Sequence, residues 1–396
     1  MLRQLKINNP EHLRNEMLDC NVDPSGIKIM SQKGEFLMLK TSPIPVAGCN
    51  ILKQQMLSIG GEVAISKGAA NCRIKQESAI IFGTRKQFNR LIRSLDYQCF
   101  GLKELQQELS DYFNNLQNHM FFVGNKKFDL SKRTLVMGIL NVTPDSFSDG
   151  GEFEKVDMAV SQAMKMIDDG VDIIDIGGES TRPGAQVVSV EEEINRILPV
   201  IDGIRKKSDI PISIDSYKSQ VAKQAISVGA GIVNDISGLR FDKEMSIIIA
   251  KNNASAVLMH IQGTPESMQK NPKYKNIFDD ILKYLIGSAK ILTDLGVEKA
   301  RIVLDPGIGF GKKWEQNFEI IRHLEEFKSA GYPLLIGTSR KSFIGNLLDL
   351  PISQRLEGTL SSIACCIMNG AGIVRVHDVK ECVRAVKVAD KIVGKS

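Results

Sequence analysis

The sequence predicts an α/β protein: a (β/α)8 TIM barrel preceded by a smaller α/β (α+β) domain. Three observations carry that expectation. From Thr134 onward, short β-branched runs alternate with amphipathic helical stretches. There are eight such runs in residues 131–396, a length usual for a closed eight-stranded barrel. The formal charge of +5 is also unevenly placed. Residues 1–130 hold 17 Lys+Arg against 12 Asp+Glu, whereas residues 131–396 hold 34 of each. Two units are expected, the larger without the surplus positive charge that would track a nucleic-acid backbone.

The barrel strands are expected at 134–141, 171–176, 210–215, 230–235, 255–260, 301–305, 333–337 and 372–377. Helical segments such as MAVSQAMKMIDDG and KSQVAKQAISVGA lie between them, and Gly170, Gly229 and Gly296 stand where helix C-caps fall. An even run of eight favours the barrel over a doubly wound sheet. Upstream, residues 1–125 read as a small domain of unassigned role. QLKI, GIKIM, EFLMLK and SAIIFG are its strands; HLRNEMLD, NILKQQMLSIG, KQFNRLIRSL and LKELQQELSDYFNNLQ are its helices. Residues 126–133 read as a linker to a catalytic body at 134–396.

The N-terminus is broken by charge and Asn-Pro, so no signal peptide is expected, and no run approaches the roughly 20 apolar residues of a membrane span. Seven cysteines, an odd number with no CxxC, are expected as free thiols in a reducing cytoplasm. No nucleic-acid or membrane partner is expected. Cys365 and Cys366, on an apolar helix, read as packing or dimer-interface residues.

Chemistry in such a barrel sits at the C-terminal strand ends. Those ends read Asn141, Asp175, Asp215, Asn234 with Asp235, His260, Asp305, Gly337 followed by Ser339, Arg340 and Lys341, and Arg375 with His377. Any one could be a turn former; a whole rim of them could not. Asp215, Asn234 and Asp305 offer acceptors plus an amide, suited to the paired N–H groups of a pterin-like or guanine-like edge. Arg182, Lys341, Arg375 and His377 offer the opposite polarity, suited to a phosphate or pyrophosphate. The loop DPGIGFGKK (305–313) lacks the spacing of a P-loop; its glycines are expected to bring backbone and Phe310 close to a flat ligand. No metal-ligand cluster is legible, so a divalent ion would be Mg²⁺ held mainly by substrate phosphates. Asp175 reads as a residue that orients the neighbouring loop, His260 as a satisfied core or rim histidine, Arg340 as an internal ion-pair partner, and Arg301 as a stability or solvation residue at the opposite rim.

MGILNVTPDSFSDGG (137–151) and DIIDIGGESTRPGA (172–185) resemble the two signature segments of the dihydropteroate synthase family. The likeness continues, in order, through ISIDSYK, VNDISG, DPGIGFGK, GTSRKSFIG and VRVHDV, over about 132–394. The resemblance implies a transferase of folate biosynthesis and a sulfonamide target, with Mg²⁺ as cofactor. Its small-molecule substrates would be 6-hydroxymethyl-7,8-dihydropterin pyrophosphate and para-aminobenzoate, its products 7,8-dihydropteroate and pyrophosphate. A homodimer is expected.

Carried over residue by residue, the resemblance gives Asp215, Asn234 and Asp305 to the pterin ring, beside Lys341, with Met259 and Gly337 lining the slot. Asn141, Arg375 and His377 would hold pyrophosphate, Asn141 also reaching Mg²⁺. Residues 142–152 and 179–187 would be mobile loops. Thr181, Arg182 and Pro183, with Phe147, Phe310, Lys341 and Ser342, would shape the aminobenzoate pocket. Asp215, Asp305, Lys341, Arg375 and His377 are the catalytic candidates. Two alternatives stand: a pterin-binding methyltransferase-type barrel, and a synthase using a modified aminobenzene substrate.

Overall fold

Each of the eight expected runs forms a strand in the computed structural model: Leu135–Asn141, Ile173–Gly177, Ile212–Asp215, Ile232–Asp235, Ser255–Met259, Ile302–Asp305, Leu335–Ile336 and Ile373–Val376. The structure describes residues 1–5, 7, 10–71, 73–115, 119–143, 152–180 and 187–395. The strands pair in parallel, neighbour to neighbour, with the eighth between the seventh and the first. Closure comes where Leu304 bridges Leu334 and the Leu304 N–H donates to the Pro333 carbonyl at 2.9 Å. The sheet is a TIM barrel.

Period-two alternation sorts the side chains of each strand. Leu135, Met137, Ile173, Ile232, Val257, Val303, Leu335 and Ile373 share one buried cluster inside the barrel. Val136, Ile174, Ile212, Val233, Ala256 and Leu304 belong to a second, outer cluster against the helices. Gly170, Gly229 and Gly296 take φ of +94°, +116° and +86° just past their helices, as C-cap glycines do.

The segment expected as a linker is part of the barrel instead. Met120–Val123 and Lys126–Asp129 pair as an antiparallel hairpin. Phe121, Val123 and Leu130 join the inner cluster, and Ser255 Oγ donates to the Phe122 carbonyl. Arg301 Nη2 donates to Gly124 O at 3.3 Å in the hairpin turn. The reason is apolar: inner side chains at the N-terminal end need a cover, and MFFV supplies one. The chain accordingly divides at Met1–Asn114 and Asn115–Ser396, some ten residues before the expected boundary.

The first unit holds a three-stranded antiparallel sheet, Phe36–Lys40, Ile80–Thr84 and Glu62–Ala64, in that order. Its helices include Val46–Ser58, Arg85–Ser94 and Leu102–Asn115, with Leu52, Met56, Phe88, Leu91 and Phe113 buried. GIKIM is helical rather than extended, within Pro24–Gly34. Asp23 caps it by accepting from the Ser25 N–H at 2.9 Å, and Pro24 occupies the first turn, so start chemistry outweighs β-branched composition. The described residues of QLKI lie in no strand. Among the described residues, no helix is long and apolar enough to cross a membrane.

Candidate active site

The alternation that turns Leu135, Met137, Ile173, Ile232, Val257, Val303, Leu335 and Ile373 inward also sets what the mouth contains. Stepping by twos along each strand gives Asn141, Asp175, Asn234, Met259, Asp305, Gly337, Arg375 and His377. Adjacent strands place Asp215 opposite Asn234, Met259 opposite Asp305, and Asn141 opposite Gly177. A Cβ built on Gly177 would stand 3.7 Å from both Asn141 Oδ1 and Asp215 Cβ, so those two side chains flank one glycine. One on Gly337 would stand 3.7 Å from Arg375 Cβ and from Lys341 Nζ.

Charge is concentrated here. Arg375 Nε donates to Asp175 Oδ2 at 2.6 Å, and its Nη2 donates to Asp215 Oδ2 at 2.5 Å. Asn234 Nδ2 donates to the same Asp175 oxygen at 3.2 Å. Burial lowers the Arg375 pKa, but Asp175 and Asp215 outweigh it and hold the guanidinium above its ordinary value. Burial pushes the Asp215 carboxyl up to about 7, against the pull of Arg375 and with the push of Asp175. Asp175 Oδ1 and Asp215 Oδ1 are buried with no hydrogen-bond partner among the described residues. Each is a buried acceptor whose donor the described residues do not supply.

The wall opposite is the loop after the sixth strand. Asp305 Oδ1 accepts from the Gly307 N–H at 2.7 Å. Burial raises the Asp305 pKa, opposed chiefly by Lys341. Gly307, Gly309 and Gly311 take φ of +72°, +83° and +67°. A Cβ on Gly307 would fall 2.0 Å from His260 O, and one on Gly311 2.7 Å from Gln262 O, so this path requires glycine. Phe310 packs on Met259, Ile236, Ile261 and Met268 as an apolar ledge. Lys341 Nζ lies 4.9 Å from the Phe310 ring centroid and donates to Ile308 O. Burial lowers its pKa to about 8, partly offset by Asp305. Ser342 begins the helix Ser342–Leu348 and is exposed.

His377 Nδ1 lies 3.0 Å from Ser339 Oγ. Arg340 pairs with Asp378, as expected, leaving Lys341 to face the mouth. His260 is a buried rim residue whose pKa is lowered by burial and by the nearby Lys312. Phe147, Thr181, Arg182 and Pro183 lie outside the described residues, as does most of both loop segments.

Three features went unread in the sequence. Asp175 ties Arg375 to Asn234 rather than orienting a loop. Lys312, 2% exposed, donates to Phe310 O at 3.0 Å and His260 O at 3.3 Å, with His260 Nδ1 at 2.8 Å, fixing the glycine loop. Lys218 Nζ joins Glu179, Glu193 Oε2 at 2.7 Å and Val188 O at 2.7 Å, binding together the two stems of the 181–186 segment.

Residues 137–377 match the model of a family described as pterin binding enzymes. The dihydropteroate synthase of Clostridium beijerinckii is 52% identical over 272 residues, 68% of this chain and 98% of that one.

The chain belongs to the dihydropteroate synthase family of pterin-binding enzymes.

A solved dihydropteroate synthase of Clostridium difficile, obtained in the presence of pteroic acid, superposes with a TM-score of 0.64 at 48% identity. It covers 68% of this chain and all of its own. A probable bifunctional folylpolyglutamate synthase/dihydropteroate synthase of Halobacterium salinarum is 39% identical over 384 residues. That match takes in 97% of this chain and 46% of that protein, so the first unit has a counterpart there.

Proposed function

We propose that the barrel condenses 6-hydroxymethyl-7,8-dihydropterin pyrophosphate with para-aminobenzoate, forming 7,8-dihydropteroate and releasing pyrophosphate. The observation that carries this reading is the mouth itself. Unpaired acceptors on Asp215 and Asp175 stand beside Asn234 and Asp305, on one side of an apolar ledge, and the cations Arg375 and Lys341 stand among them. A flat heterocycle with paired N–H groups and an anionic tail suits these groups, with Asp175 holding Arg375 in place.

The pterin edge donates to Asp215 and Asp305 while Asn234 supplies both a donor and an acceptor. Met259, Gly337 and Phe310 bound the slot, and Lys341 spans the ring and Asp305. The nucleophile is a neutral aromatic amine, so no activated serine or cysteine is needed. What the site must do is accept charge on the leaving group and steady positive character at the pterin methylene. Arg375 and His377 meet the departing pyrophosphate, and the Asp215 and Asp305 carboxylates stabilise the electron-poor pterin. Ser342, Lys341 and Phe310 form the aminobenzoate side.

Among the described residues, no group of three or more His, Cys, Asp or Glu could hold a metal. Asn141 is a single carboxamide donor, which fits Mg²⁺ carried mainly by pyrophosphate oxygens. When bound, the ion neutralises leaving-group charge. The exposed apolar residues Met368 and Cys365 on one late helix, and Val388 and Ile392 on the last, support a homodimer joined through that face. The six described cysteines are all free, in keeping with a cytoplasmic enzyme.

The test is pyrophosphate release by the purified chain in Mg²⁺ buffer. Release is expected only when both substrates are present, and is lost in Asp215→Ala. Release without the aryl amine, or none with both, refutes the reading.

A further inference from the structure

The substrate proposed above makes two demands that the structure sets against each other. Asp215 must be free to accept from the pterin, and Arg375 must be free to meet the pyrophosphate. In the structure each group occupies the other, Arg375 Nη2 donating to Asp215 Oδ2 at 2.5 Å. The two carboxylates that hold Arg375 are not equivalent. Asp175 is wholly buried, and its Oδ2 takes bonds from both Arg375 Nε and Asn234 Nδ2. Asp215 has side-chain exposure of 12% and, among the described residues, only the arginine on its Oδ2. Asp175 is therefore the fixed anchor and Asp215 the releasable partner.

We propose that the Arg375–Asp215 ion pair is an exchange element that couples the two halves of the substrate, each half taking one member of the pair while Asp175 retains the arginine. Resting on the dihydropterin pyrophosphate reading, this makes a further claim. Opening the pair costs free energy once. Whichever half arrives first bears that cost, and the second binds to a group already released. The two halves, supplied as separate molecules, must then bind with positive cooperativity, and by linkage the factor is the same in both directions. On the return path, departing pyrophosphate hands Arg375 back to Asp215, which displaces the pterin edge and favours product release.

The experiment is calorimetric titration of the full chain with inorganic pyrophosphate, with and without saturating 6-hydroxymethylpterin, and then the reverse order. Pyrophosphate is expected to bind roughly tenfold tighter in the presence of the pterin, with a reciprocal gain for the pterin. Asp215→Asn should tighten pyrophosphate binding in the absence of pterin and abolish the coupling, because Arg375 is already free. Asp305→Asn removes an equal charge that acts on Arg375 without a hydrogen bond to it, and should tighten pyrophosphate binding several-fold less than Asp215→Asn does. Binding of both ligands with no mutual effect overturns the exchange while leaving the substrate reading intact. Equal tightening in Asp215→Asn and Asp305→Asn also overturns it, since bulk charge would then explain the gain. Failure of either ligand to bind overturns the substrate reading and the exchange with it.

Discussion

Replacing Gly307 by alanine tests whether the glycine loop positions the chemistry. The added Cβ would lie 2.0 Å from the His260 carbonyl oxygen and 3.1 Å from its carbon, at a backbone φ of +72°. Ordinary contact begins at 3.4 Å, so the two backbones must part by about 1.4 Å. His260 resists that motion, because its N–H donates to Asp305 O at 2.9 Å and its carbonyl accepts from Lys312. The movement therefore falls on residues 305–310. It breaks the Gly307 N–H bond to Asp305 Oδ1 and shifts both Phe310 and the Ile308 carbonyl that holds Lys341. A misplacement near 1 Å costs about 100-fold in rate, or about 2.7 kcal/mol of transition-state stabilisation. The left-handed φ adds about 1–2 kcal/mol of instability. Gly296→Ala is the control: its φ is +86°, yet nothing lies within 4 Å of the new Cβ. Both variants should melt a few degrees low, but only Gly307→Ala should lose about two orders of magnitude in steady-state kcat/KM. Equal kcat/KM in the two variants would refute the positioning argument.

Further outcomes follow from the same geometry. Burial lowers Lys341 to about 8, so it is cationic below that pH and loses its charge as pH rises through it. The kcat/KM profile should fall on the alkaline side with a midpoint near 8, and Lys341→Arg, which does not titrate there, should erase that limb. A chain beginning at Asn115 should fold and turn over substrate, whereas one beginning at Ser131 should not fold stably. The second lacks Phe121 and Val123, which close the inner core, and loss of a buried phenylalanine alone costs about 3–5 kcal/mol. Circular dichroism melts and the release assay on both chains decide this. Lys218→Met strands Glu193, 1% exposed, without its counter-ion, a loss of about 3 kcal/mol. Its Tm should fall by roughly 6–12 °C, and the double variant Lys218→Met/Glu193→Leu should recover much of it; no recovery would show that the pair is not what is lost.

The order and number of barrel strands were legible because parallel strands buried on both faces read as apolar runs, and each is followed by a helix with its own stop signal. The bottom of the barrel was not. MFFV and KKFD looked like the end of one domain and the start of a linker, because nothing local distinguishes a hairpin that covers a core from one that joins two bodies. GIKIM failed for a different reason: β-branched content suggested a strand, while Asp23 and Pro24 supplied the helix start that decides the backbone there.

Asp175 is the instructive miss, because its place could have been read. Ile173 lies in the inner cluster, and a strand repeats every two residues, so Asp175 must point inward at the next level. The same count carries Ile232 to Asn234, Val303 to Asp305 and Ile373 to Arg375. The Asp175 carboxylate is therefore as much a part of the mouth as Asp305, although it lies two residues short of the strand end at Gly177. What alternation cannot give is the partner, since Arg375 comes from the eighth strand and Asp175 from the second. Their meeting depends on strand order: the eighth strand pairs with the first at Arg375 and Met137, and the first with the second at Ile139 and Asp175. Only the crossovers that set the last strand beside the first bring the two together, so the clamp on Arg375 is a property of the strand order, invisible in any single strand.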